Sequence, residues 1–99
     1  MTNALTFAPA EVTIRVGDTV VWTNESPIPH TATGDPGQNP LARSRPELVR
    51  LPVGAAAWGS KLLQNGEQYI HRFDQIGTYV YICIPHVLSG MKGTIVVGA

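Results

Sequence analysis

The chain has 99 residues, 43% of them apolar, and its seven Lys or Arg balance seven Asp or Glu to a formal net charge of zero. That length suits one domain, expected to span residues 1–99, with a two-layer core and no room for a second domain. Balanced charge removes the electrostatic case for nucleic acid or an anionic membrane, and no apolar run reaches the about eighteen residues a membrane span needs.

The first residues, Met1-Thr2-Asn3-Ala4-Leu5, lack a basic region followed by an apolar stretch, so no signal peptide is expected in this chain. Residues 5–7 have the length for a short strand. Val12, Ile14 and Val16 alternate with Thr13 and Arg15, the pattern of a half-buried strand. Gly17-Asp18 signals a turn, and Thr19-Val20-Val21-Trp22-Thr23 is a second β-branched and aromatic run. The two strands read as a hairpin or as a corner between sheets. Asn24 to Pro29 is a loop by its Asn, Ser and Pro content, and His30-Thr31-Ala32-Thr33 re-enters a sheet.

Residues 34–57 break this rhythm with Pro36, Gly37, Pro40, Pro46, Pro52 and Gly54. Within them, Pro46-Glu47-Leu48-Val49-Arg50-Leu51 predicts a turn or two of helix with Pro in its first turn. Strands return at Lys61-Leu62-Leu63, at residues 68–73 after the Asn65-Gly66 turn, at Thr78-Tyr79-Val80-Tyr81-Ile82, and at Thr94-Ile95-Val96-Val97. About eight short strands separated by turn signals predict an all-β sandwich with one long loop.

Cys83 is the only cysteine, so no internal disulfide is possible. It opens the segment Cys83-Ile84-Pro85-His86-Val87-Leu88-Ser89-Gly90-Met91, which connects two strong strands. That loop offers a thiolate, an imidazole and a thioether. Soft sulfur ligands select copper, and two histidines, one cysteine and a weak axial methionine compose a blue-copper electron-transfer site. A second histidine must then come from elsewhere, from His30 or His71. His71 sits inside a predicted strand, whereas His30 follows Pro27-Ile28-Pro29 at the mouth of a loop, where a site at one end of a sandwich draws its ligands. The placement favours His30 and leaves His71 as a strand histidine. Trp22, Trp58, Tyr79 and Tyr81 are expected as core or sheet-face aromatics.

The Cys-x-x-His-x-x-x-x-Met spacing, followed by Lys92-Gly93-Thr94-Ile95-Val96-Val97, resembles the C-terminal end of the cupredoxins, especially plastocyanin and pseudoazurin. Gly77 to Cys83 resembles the strand entering their ligand loop. Val21-Trp22-Thr23-Asn24 and Pro29-His30-Thr31-Ala32-Thr33 resemble their first ligand loop, and Trp58 to Leu63, Gly66-Glu67 and Phe73 resemble their middle. The resemblance covers nearly all the chain outside residues 34–57. It implies a Greek-key β-sandwich holding one copper ion between His30, Cys83, His86 and Met91, with Met91 axial and His86 nearest the surface. It also implies a soluble one-electron carrier rather than an enzyme, expected to be a monomer. The carrier would meet redox partner proteins transiently near His86, in an extracytoplasmic compartment such as a periplasm or a thylakoid lumen. A copper trafficking or storage module using the same ligands is the alternative.

Pro27, Ile28, Pro29, Pro85, Val87 and Leu88 are expected to form an apolar collar near His86, which suits small transient interfaces. Pro85 has no N–H to donate to the Cys83 sulfur, and the missing donor is expected to raise the potential. Thr31 stands where plastocyanins commonly carry Asn, and its backbone N–H is placed to reach the Cys83 sulfur. Arg43, Arg45 and Arg50, in the long segment, read either as a solvated face or as a docking surface for an acidic redox partner.

Overall fold

The computed structural model describes residues 1–99. Its strands are β1 (Glu11–Arg15), β2 (Thr19–Thr23), β3 (Thr33–Gly34), β4 (Trp58–Gly59), β5 (Gln68–Arg72), β6 (Gly77–Ile82) and β7 (Lys92–Gly98). They form a five-stranded sheet in the order β1-β7-β6-β3-β4 and a two-stranded sheet of β2 and β5. β1 runs parallel to β7 with Val12 opposite Ile95, and β6 runs antiparallel to β7 with Ile82 opposite Lys92. The chain passes from the first sheet to the second and back twice, in a Greek-key sandwich.

The Gly17-Asp18 turn is therefore a corner, not a hairpin. Gly17 adopts φ 92°, in the left-handed region open to glycine, and its N–H donates to the Phe73 carbonyl at 2.7 Å. Asp18 Oδ2 accepts from the Arg15 N–H at 3.0 Å, and the Asp18 carbonyl accepts from the Phe73 N–H, so the corner is tied across to the second sheet.

Inward-facing aromatics fill the space between the sheets. Trp22 stacks on Trp58 at 5.2 Å between ring centroids and meets Tyr81 edge-on at 5.5 Å, while Phe73 meets Tyr79 edge-on at 4.9 Å. All five are buried, four of them (Trp22, Trp58, Tyr79 and Tyr81) as expected from the sequence. Gly34 makes the Trp58 position possible: a Cβ there would lie 2.2 Å from Trp58 Cε2.

Several expectations change. There are seven strands rather than about eight. Residues 5–7 are not a strand, because Leu5 takes a left-handed φ of 58° and Phe7 turns in to meet Tyr81 edge-on. Of Lys61-Leu62-Leu63 only Leu63 pairs, through an antiparallel bridge to His30, while the regular pairing falls on Trp58–Gly59. The predicted helix narrows to a single 3₁₀ turn, Pro46–Leu48; Arg50 instead exchanges both backbone hydrogen bonds with Val80 of β6. Leu48 and Val49 are buried against Ile82 and Val87, which holds the long segment beside the loop that follows β6.

Candidate metal centre

Two loops at one end of the sandwich carry the donor groups. The first leaves β2. Asn24, 0% exposed, makes all four hydrogen bonds its amide allows: Nδ2 donates to the Ile28 and Leu63 carbonyls at 2.8 and 2.9 Å, and Oδ1 accepts from the Ser26 N–H and hydroxyl at 3.0 and 2.9 Å. A proline-rich loop thereby gains a fixed shape although it has few backbone ladders of its own. His30 follows, held at both backbone groups by Leu63, at 3.1 and 2.7 Å.

The second loop leaves β6 at Cys83 and winds through a 3₁₀ segment, Ile84–Ser89, to Gly90, whose left-handed φ of 81° turns the chain into β7. Met91 closes the loop: its carbonyl accepts from the Cys83 N–H at 3.1 Å and its N–H donates to the His86 carbonyl at 3.3 Å. Met91, 1% exposed, belongs to the same buried cluster as Cys83.

The loops bring three donors together. The ligand atoms of His30, Cys83 and His86 all lie within 4.8 Å of one another. Nδ1 of His30 lies 3.6 Å from the Cys83 sulfur, and Nδ1 of His86 lies 3.3 Å from it. His30 and Cys83 are fully buried, while His86 is half-buried. His71 lies elsewhere, stacked on Trp58 at 5.2 Å, so the choice of His30 over His71 agrees with the geometry.

The neighbours of His30 select its tautomer. Nε2 faces the Thr2 carbonyl at 3.2 Å and the Ser26 hydroxyl at 3.1 Å. A carbonyl can only accept, so Nε2 carries the proton and the Nδ1 lone pair is left pointing at the cluster. Thr2, Asn24 and Ser26 are thus functional residues that sequence reasoning did not identify. An Asn followed at two residues by Ser, ahead of a histidine preceded by proline, was the local pattern, but it does not show that Asn24 is buried or that Thr2 reaches His30.

Charge is scarce here. Burial lowers the pKa of His30, and the neighbouring His86 adds to the shift, so the ring stays neutral and able to ligate. Burial pushes the Cys83 thiol up, against the hydrogen bonds it receives. Left alone, the thiol keeps its proton at neutral pH; a bound metal cation would displace that proton and take the thiolate. The sulfur receives the Thr31 N–H at 3.4 Å, and the Thr31 hydroxyl accepts the Ile84 N–H at 2.9 Å, so Thr31 itself joins both loops. A buried sulfur between two imidazoles, with a thioether residue at the end of the loop, fits copper.

Beside His86 in the chain, Pro85 is exposed and Leu88 is 84% exposed; of the first-loop residues expected in the collar, Pro27 is exposed and Ile28 and Pro29 are half-buried. Val87 departs from the expected collar: it is buried and packs inward on Leu48 and Val49.

The sequence matches the copper binding proteins, plastocyanin/azurin family, over residues 1–98. It is 39% identical over 100 residues to plastocyanin from Scenedesmus fuscus, covering 96% of this chain and 89% of that one. It is 34% identical over 91 residues to amicyanin-alpha from Methylorubrum extorquens, covering 92% of this chain and 63% of that one. Among solved structures, an oxidized amicyanin variant aligns with a TM-score of 0.72 at 27% identity, over 98% of this chain and 76% of that one. A pseudoazurin from Sinorhizobium meliltoi aligns with a TM-score of 0.70 at 31% identity, over 95% of this chain and 61% of that one. With matches of this extent and a clustered His30, Cys83 and His86, the chain belongs to the plastocyanin/azurin family of copper-binding proteins.

Proposed function

We propose that this protein is a mononuclear type-1 blue copper protein that carries single electrons between redox partners, with one copper held by His30, Cys83, His86 and Met91. The observation that carries the reading is the convergence of the His30, Cys83 and His86 donor atoms within 4.8 Å, at loop ends already tied to the sheets. When bound, copper supplies the Cu(I)/Cu(II) one-electron couple.

The chain's own residues supply a fixed environment for that couple. Ser26 and the Thr2 carbonyl hold the His30 proton on Nε2, which orients Nδ1. Thr31 ties the first loop to the second and donates the N–H that reaches the sulfur. Val87 anchors the second loop on Leu48 and Val49. Each restraint limits how far the donors move when the charge changes, and a small reorganisation favours fast transfer. Burial of His30 and Cys83 also opposes ready release of a metal, which favours a carrier over a trafficking or storage module.

Electrons pass through the half-buried edge of His86, which exposed Pro85 and Leu88 flank in the chain. Surfaces of this kind suit brief encounters of small area. No helix is long and apolar enough to cross a membrane, and the working compartment is extracytoplasmic, by analogy with the relatives. The protein works as a monomer and transforms no substrate.

Adding Cu(II) to the copper-free protein tests the reading. An intense visible thiolate-to-copper band, lost in Cys83→Ser and altered in Met91→Ala, is expected, with reversible reduction and no metal loss. A colourless product, or colour that survives Cys83→Ser, overturns it.

A further inference from the structure

We infer that Arg43, Arg50 and Lys92 form a cationic docking surface beside the ligand loop, fitted to the acidic face of a redox partner protein. The inference rests on the electron-carrier reading and names the partner's chemistry.

The charges of this chain are equal in number but unevenly placed. Side-chain ion pairs join Arg45 to Glu47, Lys61 to Glu67 and Arg72 to Asp74. Seven cations less these three leaves four, namely Arg15, Arg43, Arg50 and Lys92. Three of the four lie on one flank and all three are exposed. Arg43 sits in the turn that Asn39 braces, its Oδ1 accepting the Leu41 N–H at 2.9 Å and its Nδ2 donating to the Arg45 carbonyl at 3.0 Å. Arg50 is fixed by its backbone exchange with Val80. Lys92 opens β7 opposite Ile82, near enough for its charge to help depress the Glu47 carboxyl pKa, after the larger effect of Arg45.

This flank touches the ligand loop. Leu41, Leu48, Val49 and Ile82 pack against Val87, the residue after His86. The cations therefore border the surface through which electrons leave. Among unpaired acids, Glu11 lies on the outer strand β1 and Glu25 lines a groove with Val12 at the β1 side, across the sheet from Arg50. Asp35 is the one unpaired acid near the flank, and its carboxylate is occupied by the Gly37 N–H at 2.9 Å and the Gln38 amide. The result is a charge asymmetry across the electron-transfer face of a chain with zero net charge, which gives a partner orientation as well as attraction.

The test uses the reduced, copper-loaded protein. Hexacyanoferrate(III) takes one electron from it and becomes hexacyanoferrate(II). A chain of zero net charge without a patch shows almost no salt dependence in this reaction. The expected result is a rate that falls several-fold as salt rises from ~0.01 M to ~0.5 M, the reverse trend with the cationic tris(phenanthroline)cobalt(III), and loss of both trends in Arg43→Gln/Arg50→Gln. A flat wild-type profile, or equal profiles in the wild type and the double variant, overturns the inference.

A second measurement does not depend on electron transfer. The redox-inert hexacyanochromate(III) is added to ¹⁵N-labelled protein, with and without copper. Broadening centred on the amides of residues 41–50 and Lys92 supports the surface; broadening elsewhere, or none, overturns it. A protein that takes up no copper defeats the functional reading, and the second measurement then still decides the patch.

Discussion

Thr31 meets Cys83 through its backbone and braces it through its side chain. The Thr31 N–H lies 3.4 Å from the Cys83 sulfur, and the Thr31 hydroxyl accepts from the next residue, Ile84, at 2.9 Å. A second donor, the Thr33 hydroxyl, reaches the same oxygen at 2.9 Å. The backbone contact survives any side-chain change, while the hydroxyl is open to mutation. Thr31→Val is expected to strand the Ile84 N–H and cost about 1–3 kcal/mol, with Tm falling about 4–8 °C per kcal/mol in a domain of this size. Thr31→Ser restores the acceptor and most of the stability. Thermal unfolding of the three proteins checks this, and equal stability of Val and wild type would remove the proposed brace.

The long segment is tied to the ligand loop by apolar packing. Leu48 is 4% exposed and packs with Val49, Ile82 and Val87. Leu48→Ala is expected to cost about 2–5 kcal/mol through lost burial and a residual cavity. It is also expected to broaden the amide resonances of residues 84–89, because Val87 loses its backing. Urea unfolding measures the first effect and ¹⁵N relaxation the second. Loss of stability with an unchanged loop would separate the segment from the site.

These two contacts show what could be read from sequence and what could not. Strands β1, β2, β5, β6 and β7 announced themselves by alternation or by β-branched and aromatic runs, because each is long enough to show a period. Strands β3 and β4 are two residues each, too short to carry one, so pairing was assigned to Lys61-Leu62-Leu63 instead of Trp58–Gly59. Cys83, His86 and Met91 were legible because one loop holds them at fixed spacing, and His30 was legible by loop placement. The support around His30 was not: Asn24 reaches Leu63 and Thr2 reaches His30 across separations that only the fold closes. Val87 misled for a related reason. Its neighbours Pro85 and Leu88 face solvent, and nothing local shows that residue 87 turns inward onto Leu48.

His71 gives a pH prediction independent of the metal. Burial against Trp58 lowers its pKa, and Asp74 only partly opposes the shift. The folded state therefore favours the neutral ring, and the unfolded chain binds the proton more readily. By linkage, the stability this group contributes is fully present above its ordinary value of about 6.5 and is lost as pH falls through the lowered folded-state value. Wild type is expected to lose more stability than His71→Gln between pH 7.5 and pH 5. Urea unfolding of both copper-free proteins at the two pH values checks it, and parallel losses would assign the acid sensitivity to other groups.

Pro85 decides how many donors the sulfur receives. Cys83 occupies the N-cap of the 3₁₀ segment, a position whose side chain ordinarily accepts from the second or third N–H that follows. Pro85 is the second and has no N–H; the third, on His86, donates to the Cys83 carbonyl at 3.1 Å. The sulfur receives the Thr31 N–H at 3.4 Å and a smaller contribution from the His86 N–H, and nothing from Pro85. The expectation from sequence, that the missing donor raises the potential, has the wrong sign. The positive end of an N–H dipole stabilises the more electron-rich member of a redox pair, so its absence disfavours Cu(I) and lowers the potential. Pro85→Ala restores the N–H at the cap position and is expected to raise the midpoint potential. A bond stronger by about 1.4 kcal/mol in the reduced state corresponds to ~59 mV for one electron. Spectroelectrochemical titration of the visible band measures the shift, and a midpoint that stays put or falls in Pro85→Ala would show that loop rigidity, rather than the donor count at Cys83, governs the potential.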